Sequence, residues 1–229
     1  MANEIIPYLE MCRRESASLQ RGMNFDLGKG YSVILMSRRR NAPYRDHVED
    51  EGLTLIYEGH DSPRHPRRPD PKSVDQPELT PKGTFTENGK FLRAVLAFQR
   101  NETPAPLVRV YEKIHEGIWS FNGVFFLIDG WRESDGRRLV FKFKLTATAE
   151  SDSSRNADWA PGIRSRLIPT EVKLEVWSRD KGQCVRCGAS DELHFDHVLP
   201  FSKGGTSLTA GNIQLLCARH NLSKGAKII

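Results

Sequence analysis

The chain has 229 residues, of which 38% are hydrophobic and 28% charged, and its formal net charge is +5. These proportions are typical of an ordinary soluble globular protein, and no apolar run approaches the roughly 20 residues that a membrane helix needs. Glu4 and Pro7 do not fit a signal peptide, so we expect a cytoplasmic protein. The length allows one large domain or two modest ones, and the small positive charge permits nucleic-acid binding without requiring it.

The first part of the chain is predicted to be mainly β. A loose amphipathic pattern predicts a short helix over about residues 8–20. The stretch 61–81 is dense in Pro, Arg and Asp, which predicts an exposed loop. Runs rich in β-branched and aromatic residues predict strands at 31–36, 53–57, 107–111, 119–128 and 139–145.

Hydrophobic periodicity disappears just before residue 150, and this change divides the chain. We place a linker at 151–168, between a first domain at 1–150 and a second at 169–229. In the second domain, Thr170 is predicted to cap a helix that Gly182 ends.

Three of the four cysteines lie in one C-terminal stretch. Cys184 and Cys187 form a C-x-x-C pair, and Cys217 and His220 form a C-x-x-H pair. In a cytoplasmic protein this grouping favours a metal site over disulfides. Four such ligands predict a closed, tetrahedral zinc site with a structural role, because no position remains for water. The alternative is that these are unrelated buried or surface residues.

A polar motif lies between and after these two pairs. Hydrophobic alternation before Asp196 and His197 predicts a strand, then a hairpin return and a helix from about Cys217. Asn212 precedes the second pair, and Asn221 directly follows it. This spacing resembles the HNH (ββα-metal) endonuclease family, in the variant whose last motif position is Asn. The resemblance covers roughly the last 60 residues.

The resemblance implies a role for each motif residue. His197 is expected to be the general base that deprotonates a water molecule. Asp196 and Asn221 are expected to hold one divalent cation, Mg²⁺ or Mn²⁺, through oxygen ligands. Asn212 is expected to fix the loop and the backbone of His197 rather than to contact substrate. Taken singly, Asp196 and His197 could instead form a surface ion pair, and Asn212 could merely shape a turn.

The first domain carries a second resemblance. From about residue 25 to 147, the order of hydrophobic runs and glycines resembles the SET-and-RING-associated (SRA) domain, a β-barrel of the PUA-like group. The segments that carry it are 32–37, a polar loop with Tyr44, 52–59, Asp75-Gln76, 106–110, Phe121-Asn-Gly123 and 131–145. The resemblance implies binding of DNA that contains modified cytosine, with the base flipped into a pocket.

Two aromatic residues match the pocket of that family. Tyr44 and Tyr57 match its stacking rings, and Asp46 or His47 lies where the family places a carboxylate that reads the base edge. Where the family has a Gly-Gly turn, this chain has the segment 38–43, Arg-Arg-Arg-Asn-Ala-Pro, so we expect a different pocket floor. Tyr57 could instead be a core tyrosine of its strand.

Several basic side chains are predicted to contact the DNA backbone. Arg38, Arg39 and Arg40 could press on phosphates or enter a groove, or could form a solvated loop. Lys203 and Lys224 are expected at phosphates beside the nuclease motif.

These observations predict an α+β protein with an SRA/PUA-like β-barrel domain followed by a zinc-containing ββα-metal HNH domain. The predicted function is a modification-dependent, type IV-like restriction endonuclease that acts on double-stranded DNA with 5-methyl- or 5-hydroxymethylcytosine. One HNH site cuts one strand, so double-strand cleavage is expected to need a homodimer or two binding events. The alternatives are an HNH nuclease that reads unmodified sequence or DNA shape, and a non-catalytic zinc protein that only binds DNA.

Overall fold

The structure is a computed structural model, and it describes residues 3–50, 53–67, 69–148 and 167–228. It combines helices with a large sheet in the first part and a small hairpin in the last part, which confirms the predicted α+β class. Residues 151–166 of the predicted linker lie outside the described residues, and the domain boundaries stay predictions. No described helix has the length and apolarity needed to cross a membrane.

Most of the described strands belong to the first part. They are β1 (Ile5–Pro7), β2 (Met23–Asn24), β3 (Ser32–Met36), β4 (His47–Glu49), β5 (Thr54–Glu58), β6 (Leu107–His115), β7 (Ile118–Ser134) and β8 (Leu139–Ala147). Its helices are α1 (Tyr8–Glu15) and α2 (Glu87–Gln99). The strands predicted from the hydrophobic runs are confirmed, and most of their buried β-branched and aromatic side chains pack in two hydrophobic clusters.

The two helices differ from the sequence prediction. Helix α1 ends at Glu15 because Ser16 adopts a left-handed conformation, with φ of 49°, so the helix is shorter than predicted. Helix α2 is not predicted by the strand-rich pattern around it. Thr86 caps it by accepting a hydrogen bond from Gly89 N, and Phe91 and Val95 on its inner face are buried against the sheet.

The large sheet curls around its core. Its strand order is β2-β3-β6-β7-β8-β5-β4, with β1 paired to β7, and only β3 and β6 run parallel. Although three strands separate β3 from β5 in this order, the Tyr57 hydroxyl on β5 donates to Leu35 O on β3 over 3.3 Å. No ladder joins β2 to β4 within the described ranges, so the predicted barrel is a curled sheet with a gap. The 37–46 loop connects β3 to β4 across that gap.

The last part is a compact unit of two helices and a hairpin. It contains α3 (Thr170–Arg179), β9 (Leu193–His197), β10 (Ile213–Cys217) and α4 (Ala218–Lys224). The predicted strand, hairpin return and helix are confirmed, with β9 antiparallel to β10. The predicted cap at Thr170 is wrong, because Pro169 precedes the first turn and the Thr170 hydroxyl instead donates to Glu112 of β6.

A buried polar network joins the two parts. Lys173 of α3 donates to Glu112 over 2.9 Å and to Asn122 of β7 over 2.7 Å, and Asn122 donates to Glu112 over 3.0 Å. Burial opposes ionisation of Glu112, yet Lys173 and the donors around it keep its pKa below the ordinary value. The network therefore holds a paired charge inside the interface, where loss of either partner would leave the other charge unpaired.

The N-terminal strap, residues 3–7, also connects the two parts. Its strand β1 pairs with β7 through Ile5 and Ser120, and Asn3 O accepts a hydrogen bond from Phe195 N of β9 over 3.0 Å. The Ile5 side chain packs in the hydrophobic core of the last part. The strap thus joins the large sheet to the nuclease-motif hairpin by backbone and side-chain contacts.

Candidate nuclease centre and base-binding cavity

Three cysteines and one histidine form a compact cluster beside the hairpin. The ligand atoms of Cys184, Cys187, Cys217 and His220 all lie within 4.8 Å of one another. His220 Nδ1 is 3.4 Å from both Cys184 Sγ and Cys217 Sγ, and Cys187 Sγ is 3.8 Å from Cys217 Sγ. A tetrahedral zinc with usual bond lengths requires edges of about 3.5 Å between S and N and about 3.8 Å between sulfurs. The predicted ligand set therefore fits zinc in both chemistry and spacing.

Local backbone groups favour a thiolate in this cluster. Burial opposes ionisation of Cys184, but backbone N–H groups around the C-x-x-C turn lower the pKa of its thiol to about 6. Gly188 follows this turn with a φ of 73°, a conformation that an L side chain rarely adopts. The turn thus delivers two sulfurs to one point close to β10 and α4.

The hairpin and α4 bring the nuclease motif together. Asp196 and His197 end β9, and Asp196 Oδ2 accepts a hydrogen bond from Gln214 of β10 over 3.2 Å. Lys224 of α4 also contacts Asp196 Oδ2, at 2.9 Å. Asn221 lies one helical turn before Lys224, and residues three apart share a helix face. Asn221 therefore lies on the side of α4 that faces Asp196.

His197 is buried, and its ring has a defined neighbour. Its Nε2 lies 2.9 Å from Ser207 Oγ, and its ring meets Phe201 edge-on. Ser207 is itself buried. Ser207 could not be found from the sequence, because a serine that follows a Gly-rich turn carries no signal of contact with a histidine ten positions earlier.

Asn212 holds the turn that follows β9. Its Oδ1 accepts from Leu199 N over 2.8 Å, and its Nδ2 donates to Thr206 O over 2.8 Å and to Leu199 O over 3.2 Å. A Cβ at Gly205 would lie 1.8 Å from Leu199 O, so this tight turn requires glycine. The side chain of Asn212 thus organises the loop, while its backbone carbonyl accepts from Val198 N.

Lys224 does not lie at the surface, where it was predicted to contact DNA. Its side chain is 1% exposed, and its Nζ donates to His197 O over 2.6 Å in addition to pairing with Asp196. An ammonium enclosed in this way cannot reach a phosphate on bound DNA. Lys203, in contrast, is exposed on the turn after β9, and its contact with the DNA backbone stays a prediction.

A large cavity opens at the gap of the curled sheet. Its volume is about 1390 Å³, and its lining includes Tyr44, Asp46, His60 and Gly22. Most of its wall comes from the 37–46 loop, the segment before β3 and the chain that follows β5. Of the predicted base-pocket residues, Tyr44 and Asp46 therefore face the cavity.

The other two predicted base-pocket residues lie elsewhere. Tyr57 is 1% exposed and packs in the hydrophobic core, with its hydroxyl bonded to Leu35 O and His60 Nε2, so the prediction that it stacks a base is wrong. His47 is exposed, pairs with Glu49 and does not line the cavity. Asp46 faces the cavity and His47 does not, because successive side chains of an extended chain point to opposite sides.

His60 stacks on Tyr44 in place of the expected tyrosine. The two ring centroids are 4.4 Å apart with an interplanar angle of 11°. A Cβ at Gly22 would lie 2.3 Å from His60 Cε1, so the absence of a side chain there makes room for the imidazole. Burial lowers the pKa of His60 to about 4, so this ring is neutral near pH 7. No sequence pattern indicates this contact, which joins three distant segments.

Asp46 is a perturbed acid at the cavity wall. Its two carboxyl oxygens accept hydrogen bonds from Glu58 N and Ser37 N, at 3.1 and 3.2 Å. Burial raises its pKa to about 7, against the opposite effect of these two donors. Because both oxygens already bind the backbone, Asp46 also holds the 37–46 loop against β5.

The predicted arginine cluster divides between two places. Arg38 pairs with Glu171 of α3 at 2.9 Å and donates to Thr170, so its predicted DNA contact is replaced by an interaction between the two parts. Arg39 and Arg40 line the cavity, as does Arg21, which the sequence analysis did not single out. The side chains of Arg21 and Arg40 are exposed and have no ion-pair partner in the portion of the chain that is described. They are the basic groups best placed to meet a phosphate at the cavity.

Comparisons with known proteins agree with the C-terminal motif. Residues 184–227 match the family model described as HNH endonuclease. No curated protein matches the sequence. Among solved structures, the chain is similar to the SUVH5 SRA domain in complex with hemimethylated CG DNA, at 20% identity, with 67% of this chain and 90% of that chain covered and a TM-score of 0.43.

Two larger proteins are also similar in structure. One is the type IV phosphorothioation-dependent restriction endonuclease ScoMcrA, at 14% identity, with 99% of this chain and 55% of that chain covered and a TM-score of 0.46. The other is Arabidopsis thaliana SUVH6, at 17% identity, with 86% of this chain and 31% of that chain covered and a TM-score of 0.44. Residues 184–227, which match the HNH endonuclease family model, contain both the polar motif and the ligand cluster.

Proposed function

We propose that the chain is a metal-dependent DNA endonuclease whose nuclease centre is the end of β9 together with α4. The observation that carries the proposal is the convergence of Asp196, His197 and the face of α4 that bears Asn221, beside a ligand cluster with zinc geometry. The family match covers the same segment. A purely DNA-binding zinc module would not need a buried histidine next to a carboxylate at the end of a strand.

The residues suggest how hydrolysis would proceed. The imidazole of His197, whose Nε2 lies 2.9 Å from Ser207 Oγ, would be the general base that takes a proton from the attacking water. Oδ1 of Asp196 and the amide oxygen of Asn221 would hold Mg²⁺ or Mn²⁺, which supplies charge stabilisation at the phosphate and the leaving oxygen. Asn212 keeps the 199–206 turn in place, and Lys203 on that turn is exposed to the DNA backbone.

The cavity is proposed to read modified cytosine in duplex DNA. A base held between two rings requires a ring separation of about 7 Å, twice the usual contact distance between carbon atoms. Tyr44 and His60 are only 4.4 Å apart, so one ring must move before a base can enter. Tyr44 is the mobile candidate, because it lies on the 37–46 loop, whereas Gly22 and Tyr57 enclose His60.

The closed ring pair also favours a second candidate function. Because His60 occupies the face of Tyr44 that a flipped base would need, the same surface could read unmodified sequence or DNA shape without flipping. In that case Arg21 and Arg40 would contact phosphates or a groove while the cavity stays closed.

A cleavage panel separates these functions. One duplex sequence is prepared with cytosine, 5-methylcytosine or 5-hydroxymethylcytosine and incubated with the zinc-loaded full chain and Mg²⁺ or Mn²⁺. We expect cutting of modified duplexes only, and Tyr44→Ala should lose that preference. Trp131→Ala removes a half-buried aromatic residue outside the cavity lining and should behave as the wild type. Equal cutting of all three duplexes would support the second candidate, and no cutting of any would overturn both.

Double-strand cleavage is proposed to need two nuclease centres. Each centre has one general base and cuts one strand, so two copies of the chain or two binding events are required. At protein concentrations well below that of the DNA, nicked circles should therefore accumulate before linear molecules.

A further inference from the structure

Lys224 is a lysine enclosed within the nuclease centre. Its side chain is 1% exposed, and its Nζ lies 2.6 Å from His197 O and 2.9 Å from Asp196 Oδ2. Burial of an ammonium is costly unless it is paired and hydrogen-bonded. These partners belong to His197, the proposed general base, and to Asp196, a proposed ligand of the cation. The hydrolysis by His197 and a divalent cation does not itself require the positive charge of Lys224.

The contacts of Asp196 are distributed unevenly over its two oxygens. Oδ2 receives both Lys224 and Gln214, at 2.9 and 3.2 Å. Within the described ranges, no donor contacts Oδ1. Lys224 therefore turns the carboxylate so that one oxygen is engaged by the protein and the other is available to a metal ion. Through His197 O, the same ammonium fixes the end of β9 that presents the imidazole.

We propose that Lys224 is the internal counter-ion of the nuclease centre and makes cation binding depend on DNA. The inference rests on the proposed function. Without DNA, the charge of Lys224 already neutralises Asp196, so a divalent cation beside it meets a like charge in a partly buried site and binds weakly. A phosphate of bound DNA adds a negative charge that offsets this repulsion. The centre then gains its cation chiefly when DNA is present.

The test measures Mn²⁺ binding directly, by electron paramagnetic resonance, on the zinc-loaded full chain. All variants carry His197→Ala, so that an added duplex is not cut, while the backbone carbonyl that Lys224 contacts is kept. In this parent, a modified-cytosine duplex should tighten Mn²⁺ binding at least about tenfold. Adding Lys224→Gln keeps a hydrogen-bond donor but removes the charge. It should bind Mn²⁺ about tenfold more tightly than the parent without DNA, and should gain little from the duplex.

Two further variants serve as controls. Lys227→Gln removes an exposed lysine just beyond the same helix and should leave Mn²⁺ binding as in the parent. Asp196→Asn should abolish binding with or without the duplex. If Asp196→Asn binds Mn²⁺ as the parent does, the cation site itself is misplaced, and it is the proposed function that fails.

The inference is overturned if Lys224→Gln keeps its zinc and its melting temperature but binds Mn²⁺ no more tightly than the parent without DNA. If Lys224→Gln does not fold, Lys224→Arg decides the matter. Arginine keeps the charge and the donors, so DNA-dependent Mn²⁺ binding must persist in that variant. Equal Mn²⁺ affinity of Lys224→Arg with and without the duplex would contradict the inference.

Discussion

The nuclease centre and the cavity are assembled in different ways. The nuclease centre comes from one continuous segment, in which a short hairpin and α4 share a cluster of metal ligands. The cavity comes from the segment before β3, the 37–46 loop and the chain after β5, and its loop is held by Asp46 and by ring contacts. A site closed by a metal tolerates little displacement, whereas a site closed by a loop can change shape when a ligand enters. We therefore expect substitutions in the nuclease centre to abolish cleavage. Substitutions around the cavity should instead change which DNA is recognised.

The largest expected effect comes from removing a zinc ligand. Cys217→Ser should release the metal and unfold the last part of the chain, because structural zinc contributes on the order of 10 kcal/mol to folding in small modules. Zinc content, expected to be about one per chain in the wild type, and thermal unfolding followed by circular dichroism measure the loss. Cys12→Ser, which changes the cysteine outside the cluster, serves as the control. Native-like unfolding of Cys217→Ser without zinc would contradict the structural role of the cluster.

The next prediction separates DNA cleavage from DNA binding. His197→Ala should lower the rate of phosphodiester cleavage by about 10²- to 10⁴-fold, because a general base is lost. DNA affinity and zinc content should remain at wild-type levels, since the cavity lies in a different part of the chain. Single-turnover cleavage and a fluorescence anisotropy titration measure the two properties. If His197→Ala cleaves DNA at the wild-type rate, the general base is another residue.

The third prediction tests the buried ion pair between the first and last parts of the chain, Lys173 with Glu112. Lys173→Met should destabilise the protein by about 3–5 kcal/mol, because Glu112 would remain buried without its counter-charge. The double variant Lys173→Met with Glu112→Gln should recover part of that loss, since no unpaired charge remains. Urea unfolding of both variants measures the difference in the free energy of unfolding. If the single and double variants have the same free energy of unfolding, the unpaired charge of Glu112 is not what destabilises the single variant.

The smallest effect concerns the loop of the cavity. The pKa of Asp46 is about 7 in the folded chain, above the ordinary 3.8, so the fold favours the protonated acid. Its contribution to stability is then present below about pH 4 and is lost as the pH rises towards 7. Asp46→Asn should remove this part of the pH dependence and flatten the curve of unfolding free energy between pH 4 and 7. If the slope of unfolding free energy against pH is unchanged in the variant, a group other than Asp46 titrates in this range.

The contrast between the regions also explains what could be predicted from the sequence. The zinc ligands and the HNH motif are readable because hairpin geometry and metal chemistry fix their spacing within about 40 residues. Lys224 was misplaced because a lysine at the end of a helix has the pattern of a solvated residue, and its burial depends on contact with β9. Tyr57 and His60 lie three residues apart, yet which of them meets Tyr44 depends on how the sheet curls.

The N-terminal strap has a consequence for the products of cleavage. Residues 3–7 are hydrogen-bonded to β7 on one side and to β9 on the other, so the distance from cavity to nuclease centre is set by packing. We therefore expect that distance not to depend on the length of the segment 151–168. Inserting Gly-Ser repeats there should leave the cut at the same number of base pairs from the recognised position in the duplex. Replacing Ile5 by Asp, which breaks the packing of the strap, should scatter the cut positions along the duplex.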